Sequence, residues 1–333
     1  QTKVVVTFAG PFARYGNKLV AACVAAGVDY CDITGEMDWV RENIARYDDA
    51  ARKSGAHIVS LCGHDSLPWD LMTLMLSKKL REEHPESDLA RVDMWDDIRS
   101  APSGGTLETA FDIMFGKKRS TAPEVTALGF DPLLKTGVTG EAASSHKVSA
   151  QNVAFVERSG SSRLHSETRT FFVMAGCNAS AVKRSNALNK YGTKVVYREG
   201  KTASGFVSGL CSMMGLSLFG LAIFFPPTRY LLRRFALPKP GEGASEESMA
   251  KGYLVVTGAG TAADGRTAKA CLGFPVDPGY KDTARMAVEC GLTLALDGNS
   301  LLRKEGGVYT PGACQGEAVL SRLLNTGSTF DYV

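Results

Sequence analysis

The chain has 333 residues, 44% apolar and 22% charged, with a formal net charge of +3. That apolar share supports a sizeable core and excludes a disordered chain; 35 glycines and 13 prolines without a period exclude a collagen-like one. So small a positive excess does not argue for nucleic acid, whose binders carry dense basic patches.

Val4-Val5-Val6-Thr7-Phe8 reads as a buried strand, with no Met, basic n-region or cleavage site to mark a signal peptide. Residues 17–26 read as a helix stopped by Gly27, and residues 30–34 as a second strand. A longer helix from about Met37 to Ser54 ends at Gly55, and residues 57–62 form a third strand closed by Gly63. Pro68 then opens a helix carrying Leu71, Met72, Leu74, Met75 and Leu76. Strand and helix alternate with short connections, which predicts a parallel α/β sheet with right-handed crossovers. After about residue 88 the texture changes. Strands expected at 90–98, 164–175 and 194–198 are separated by Gly- and Ser-rich loops, the pattern of a second, α+β region.

Residues 202–228 carry no charge, and Arg229-Tyr230-Leu231-Leu232-Arg233-Arg234-Phe235 follows as a basic, aromatic flank. The apolar length suffices to span a bilayer, and its Gly and Ser suit close packing. Three readings compete: a buried core helix pair or dimer face, an in-plane or hairpin-like membrane anchor, and a full span. A single span would separate the two flanks of one domain, so the in-plane anchor leads, with anionic lipid attracted by the basic flank. Beyond a polar linker at 238–248, residues 253–259 and 267–274 read as a hairpin around Ala262-Ala263-Asp264-Gly265. Helices are expected at 283–296 and 317–324.

The eight cysteines include no C-x-x-C pair and sit mostly in apolar stretches, so they read as reduced, buried thiols of an intracellular protein. The five histidines form no ligand pattern, and no metal site is expected.

Three polar clusters fall at the ends of three consecutive strands, the edge where open α/β sheets bind ligands. The first is Phe8-Ala9-Gly10-Pro11-Phe12-Ala13-Arg14-Tyr15-Gly16, a Gly-Pro turn before a helix. The second is Asp29 to Glu36, and the third Gly63 to Asp70. Asp32, Glu36, His64, Asp65 and Asp70 have acid–base chemistry; the competing structural role is helix capping, which Asp65 and Ser66 fit best. Ser66 is in no G-x-S-x-G elbow, which argues against a hydrolase nucleophile. A fourth motif, Ser103-Gly104-Gly105-Thr106, opens a helix and reads either as a loop approaching a ligand's phosphate or carboxylate, or as a plain connection.

Gly10-Pro11-Phe12-x-x-Tyr15-Gly16, Tyr30 to Glu36, Gly63-x-Asp65-Ser66-x-Pro68-x-Asp70, Ser103 to Thr106, the uncharged segment and Gly306-Gly307-Val308-Tyr309-Thr310-Pro311-Gly312-Ala313 resemble, in order, the saccharopine dehydrogenase-like oxidoreductases. That group includes vertebrate-type members and mycobacterial trans-acting enoyl reductases. The resemblance covers nearly the whole chain. It implies the C-terminal part of a Rossmann-type, dinucleotide-binding parallel sheet in 1–88. It also implies an α+β substrate or dimerisation domain in 89–333, including the apolar segment 203–228 and flank 229–235. NAD or NADP is the implied cofactor, with Gly10, Pro11, Phe12, Tyr15 and Gly16 near its nicotinamide half. Asp32, Glu36, Asp65 and Ser66 are the candidate catalytic residues on the substrate side, joined there by Gly35, Gly63, Asp70, Gly104, Gly105 and Thr106. Members of the group associate with membranes and lipid droplets, and some reduce lipids or glycolipids. The family's Gly-x-x-Gly-x-x-Gly fingerprint is absent, and the chain is expected to be the continuation of a longer protein that carries it.

The leading expectation is therefore a membrane-associated NAD(P)-dependent oxidoreductase acting on a lipid-related substrate. It would sit on a lipid-droplet, mitochondrial or plastid membrane, contacting lipid through Phe206 to Phe235. The alternative is a non-catalytic accessory subunit of a membrane protein complex. A homodimer is left open, and no nucleic-acid partner is expected.

Overall fold

The computed structural model describes residues 2–64, 66–100, 104–115, 146–158, 168–239 and 242–333. A four-stranded parallel sheet forms first, in the order β1 (Val4–Thr7), β2 (Asp29–Asp32), β3 (His57–Val59) and β11 (Gly307–Tyr309). Its crossovers are the short α1 (Phe12–Tyr15) with α2 (Asn17–Ala26), and then α3 (Met37–Ser54). Gly27 and Gly55 end α2 and α3 at φ of 64° and 83°, left-handed conformations that a Cβ would strain.

The second sheet has eight strands around β4 (Leu89–Arg99). On one side β4 runs antiparallel to β9 (Tyr253–Ala262), followed by β10 (Thr267–Phe274) and β12 (Thr329–Tyr332). On the other it runs parallel to β8 (Lys194–Ala203). The far edge of β8 is shared by β5 (Lys147–Ala150) and β7 (Thr168–Thr170), and β7 pairs with β6 (Glu157–Arg158).

Helix α4 (Leu67–Glu83) packs on β9, β10 and β4 of the second sheet. Leu67, Trp69, Leu71, Met72 and Leu76 are all buried, as are Asp70 and Thr73, so the first half of the helix is enclosed on every side. Gly258 of β9 lets the helix come close: a Cβ there would stand 2.6 Å from Met72. One hydrophobic cluster runs from Cys31 and Val59 in the first sheet to Leu254 and Leu272 in the second.

The change of sheet falls where the sequence texture shifts, but the expected blocks 1–88 and 89–333 do not stay apart. Strand β11 completes the parallel sheet, and α10 (Lys281–Leu296) packs against β1 and β2. Local patterning could not show this, because β11 is only three residues long.

The remaining helices are α5 (Gly104–Phe115), α6 (Ala175–Asn189), α7 (Phe206–Phe224), α8 (Pro226–Phe235), α9 (Glu246–Ala250), α11 (Pro311–Cys314) and α12 (Glu317–Asn325). The uncharged segment is thus α7. It is exposed, with Val207, Leu218, Leu221 and Phe224 facing outward, so it is not a core helix.

Three elements meet at one buried ion pair. Asp48 of α3 accepts the Val308 N–H at 2.8 Å, and Arg184 of α6 donates to the Val308 carbonyl at 2.7 Å. Arg184 and Asp48 stand 3.6 Å apart, with side chains 2% and 1% exposed. Burial draws the Arg184 pKa down to about 10. Asp48→Ala should destabilise the fold by about 3–5 kcal/mol in urea melts, because it strands a buried guanidinium. Removing the exposed partner of Arg41, by Asp38→Ala, should cost below about 1 kcal/mol.

Candidate active site

The first three motifs converge as the sequence order suggested, and a relay of hydrogen bonds joins them. Asp32 ends β2, and its Oδ1 accepts the Thr34 N–H at 3.1 Å. Thr34 Oγ1 accepts the Glu36 N–H at 3.0 Å. Glu36 then reaches across to the first motif: Oε1 accepts the Phe12 N–H at 2.6 Å and Oε2 the Ala13 N–H at 3.1 Å. A carboxylate at the start of a helix satisfies amides that the helix itself leaves open. Glu36 thereby shapes the turn that runs from Gly10 and Pro11, joined by a cis peptide, to Gly16. Gly16 packs under Trp39, where a Cβ would come within 2.6 Å of the ring; Phe12 lies 5.8 Å from the same ring, and Tyr15 is exposed.

Asp32 also holds the third motif. Its Oδ2 accepts the Ser60 hydroxyl at 3.1 Å, and its Oδ1 the Leu61 N–H at 3.4 Å. Leu61 has φ of 69°, a left-handed conformation unusual for a branched side chain. Asp32 is fully buried, and desolvation raises its pKa to about 6. Asp70, also fully buried, accepts the Gly312 N–H at 2.7 Å and so ties α4 to the C-terminal Thr310-Pro311-Gly312 turn. Burial raises its pKa to about 6 as well.

Ser66 is fully buried at the N-cap of α4, where its side chain makes no capping hydrogen bond. Asp65 lies outside the described residues. His64 donates its N–H to Thr283 Oγ1 at 3.1 Å, and its ring meets Trp69 edge-on at 5.5 Å. Gly35 receives the thiol of Cys177 at 3.6 Å, which sets the start of α6 over the strand ends. The fourth motif falls elsewhere. Gly104, Gly105 and Thr106 open α5, whose Glu108 pairs with Arg233 of α8 and whose Phe115 packs on Phe224 of α7.

A buried acid pair is absent from the expectations. Val92, Met94 and Asp96 occupy the inward face of β4, and Val195, Tyr197 and Glu199 that of β8. On each strand an acid stands at the third inward position, where the period of two calls for an apolar residue. That was the signal available. Glu199 accepts from Tyr197 Oη at 2.5 Å and from Asn178 Nδ2 at 2.6 Å. Asp96 accepts the Trp69 indole N–H at 2.7 Å. Desolvation and the neighbouring Glu199 carboxyl push Asp96 far up, so it keeps its proton. Desolvation raises Glu199 itself to about 7.

No family profile matches the chain. A Mycobacterium tuberculosis protein bearing the trans-acting enoyl reductase name is 34% identical over 343 residues, covering 98% of this chain and 79% of that one. The trans-acting enoyl reductase of Mycobacterium bovis is 34% identical over 347 residues with the same coverage. Among solved structures, apo saccharopine dehydrogenase (L-Glu forming) from Saccharomyces cerevisiae aligns at 12% identity with a TM-score of 0.39, covering 99% of this chain and 85% of that one.

The buried acids set the pH dependence of stability. Glu199 binds its proton up to about pH 7 when folded, against an ordinary value of 4.5. Asp32 and Asp70 do so up to about 6, against 3.8. Between those limits the folded state holds more protons than the unfolded one, so stability falls as pH rises from about 4 to 7. Urea melts of Glu199→Gln should show a shallower decline across the whole window from about pH 4.5 to 7, with the contributions of Asp32 and Asp70 below about pH 6 retained.

Proposed function

Because the chain belongs to the trans-acting enoyl reductase family, we propose that it is a nicotinamide-dependent oxidoreductase working on an apolar, lipid-related substrate at a membrane surface. The observation that carries the redox part is the 34% identity, which extends over 98% of the chain and so takes in both sheets and all the strand-end motifs.

The fit to the cofactor divides by its parts. The Phe12 and Ala13 amides are occupied by Glu36, so this turn does not fit the pyrophosphate. The exposed edge beside it, Phe8 to Gly10, offers apolar surface to a nicotinamide ring. A nicotinamide supplies hydride when bound. The chain's own contribution is positioning: Asp32, Thr34 and Glu36 hold the strand-end loops in register, and α6 roofs them. Asp32, Ser66 and Asp70 are too deeply buried to touch a substrate, so their proposed role is to hold the loops that do.

The membrane part rests on α7. Its 19 residues would measure about 28 Å, and they are largely exposed. Strand β8 leads into the segment and β9 follows it, and both flank β4. The chain therefore leaves and re-enters the same sheet, an arrangement that supports an in-plane hairpin of α7 and α8 over one crossing of a bilayer.

Titration of the complete protein with NADH and NADPH, followed by tryptophan fluorescence, should show saturable binding of one of them. Glu36→Ala frees the Gly10 to Gly16 turn and should weaken that binding by about tenfold, roughly 1.4 kcal/mol. Absence of binding by either cofactor would overturn the redox reading.

A further inference from the structure

We propose that the open groove on α8 is a binding site for the phosphate headgroup of an anionic membrane lipid. The inference rests on the membrane reading above and makes it specific. The groove holds about 730 Å³ and is lined by the cations Arg229, Arg233, Arg234 and Lys239 together with Tyr230, Pro226 and Phe235, with no carboxylate among its lining residues. Arg229 and Arg233 stand one turn apart on the helix, and Tyr230 and Arg234 form the adjacent column. Lys239 closes the groove from the chain beyond the helix.

Three of the cations stack on aromatic rings, Arg234 on Phe235 of its own helix at 5.6 Å and the other two on α5. The Arg229 guanidinium lies 4.1 Å from the centre of the Phe115 ring, and that of Arg233 lies 4.7 Å from Phe111. Arg233 is also paired with Glu108 at 2.5 Å. Among the described residues no carboxylate pairs with Arg229, Arg234 or Lys239. Glu242 accepts the backbone N–H of Lys239 and does not bridge to its ammonium. Planar guanidiniums converging on one open space match the oxygens of a phosphate, to which each can donate in pairs.

Position decides for a lipid over a soluble anion. The groove begins directly after Phe224 and Phe225, both exposed, at the end of α7. Leu231, also exposed, falls on the opposite side of α8 from Arg229 and Arg233, and Phe235, the most exposed of these rings, forms the apolar rim of the groove. With those residues and α7 in the acyl boundary, the four cations stand at headgroup depth. A soluble phosphate would require none of the surrounding apolar surface.

The test is flotation of the intact chain on vesicles of pure phosphatidylcholine and on vesicles doped with phosphatidylserine. The wild type should bind both and prefer the anionic ones. Arg234→Gln with Lys239→Gln should weaken binding to the anionic vesicles by roughly thirtyfold, from about a fivefold contribution per basic residue, and leave the neutral ones unchanged. Arg234→Lys should keep part of the preference. Equal binding to both vesicle types, unaffected by the double variant, would overturn the headgroup site and leave the membrane reading standing. No flotation on either would overturn the membrane reading itself. Saturable retention of inorganic phosphate by the vesicle-free protein, lost in the double variant, would assign the groove to a soluble anion and overturn the lipid assignment.

Discussion

The meeting of Asp48, Arg184 and Val308 is the constraint on which the architecture depends. A buried guanidinium is costly unless its charge and its N–H groups are matched. Here one carboxylate and one strand carbonyl match it, and the same carboxylate takes the strand's N–H. Helix α3, strand β11 and helix α6 must therefore sit together. That placement closes the parallel sheet with a strand from near the C-terminus. It also brings the start of α6 over the strand ends, where Cys177 meets Gly35.

From that frame, the acids of the strand ends act as internal ties. Glu36 satisfies two amides of one loop, Asp32 links two others, and Asp70 draws the Gly312 turn onto α4. Each replaces water with donors fixed by the fold, which is how a buried carboxyl is tolerated. The Asp96 and Glu199 pair follows the same logic with less charge to accommodate, since one of the two acids stays protonated. It sits where Trp69 of α4 meets β4 and β8, so it joins that helix to the second sheet.

Strand β8 connects this interior to the surface. It carries Glu199 on its inward face, ends at Ala203 and leads through a short turn into α7. Gly209 of α7 packs against Val156, where a Cβ would come within 2.9 Å, so the helix is seated closely on the sheet at its root. The distal end is instead supported by α5 through Phe115, and α8 beyond it through Phe111 and Glu108. An exposed apolar helix rooted in a sheet strand and flanked by a basic helix is a construction suited to an interface between water and lipid.

Much of the fold was legible in the sequence because its signals are local. Gly27 and Gly55 mark helix ends since only glycine adopts those angles without strain, and the uncharged stretch from 202 to 228 marks α7 by composition alone. The three strand-end motifs also belong together by chain order, as the alternation of strand and helix requires. What the tertiary structure decided is which polar groups are ties and where distant pieces meet. Asp70 and Gly312 are 242 positions apart, and Asp48 and Val308 are 260 apart. No spacing rule reaches that far. The Gly104-Gly105-Thr106 motif likewise went to the apolar helices because Arg233 and Phe224 lie there. Local sequence determined the elements, since backbone preferences act over a few residues; long-range packing determined the burial of each acid, since burial depends on whatever the rest of the chain places beside it.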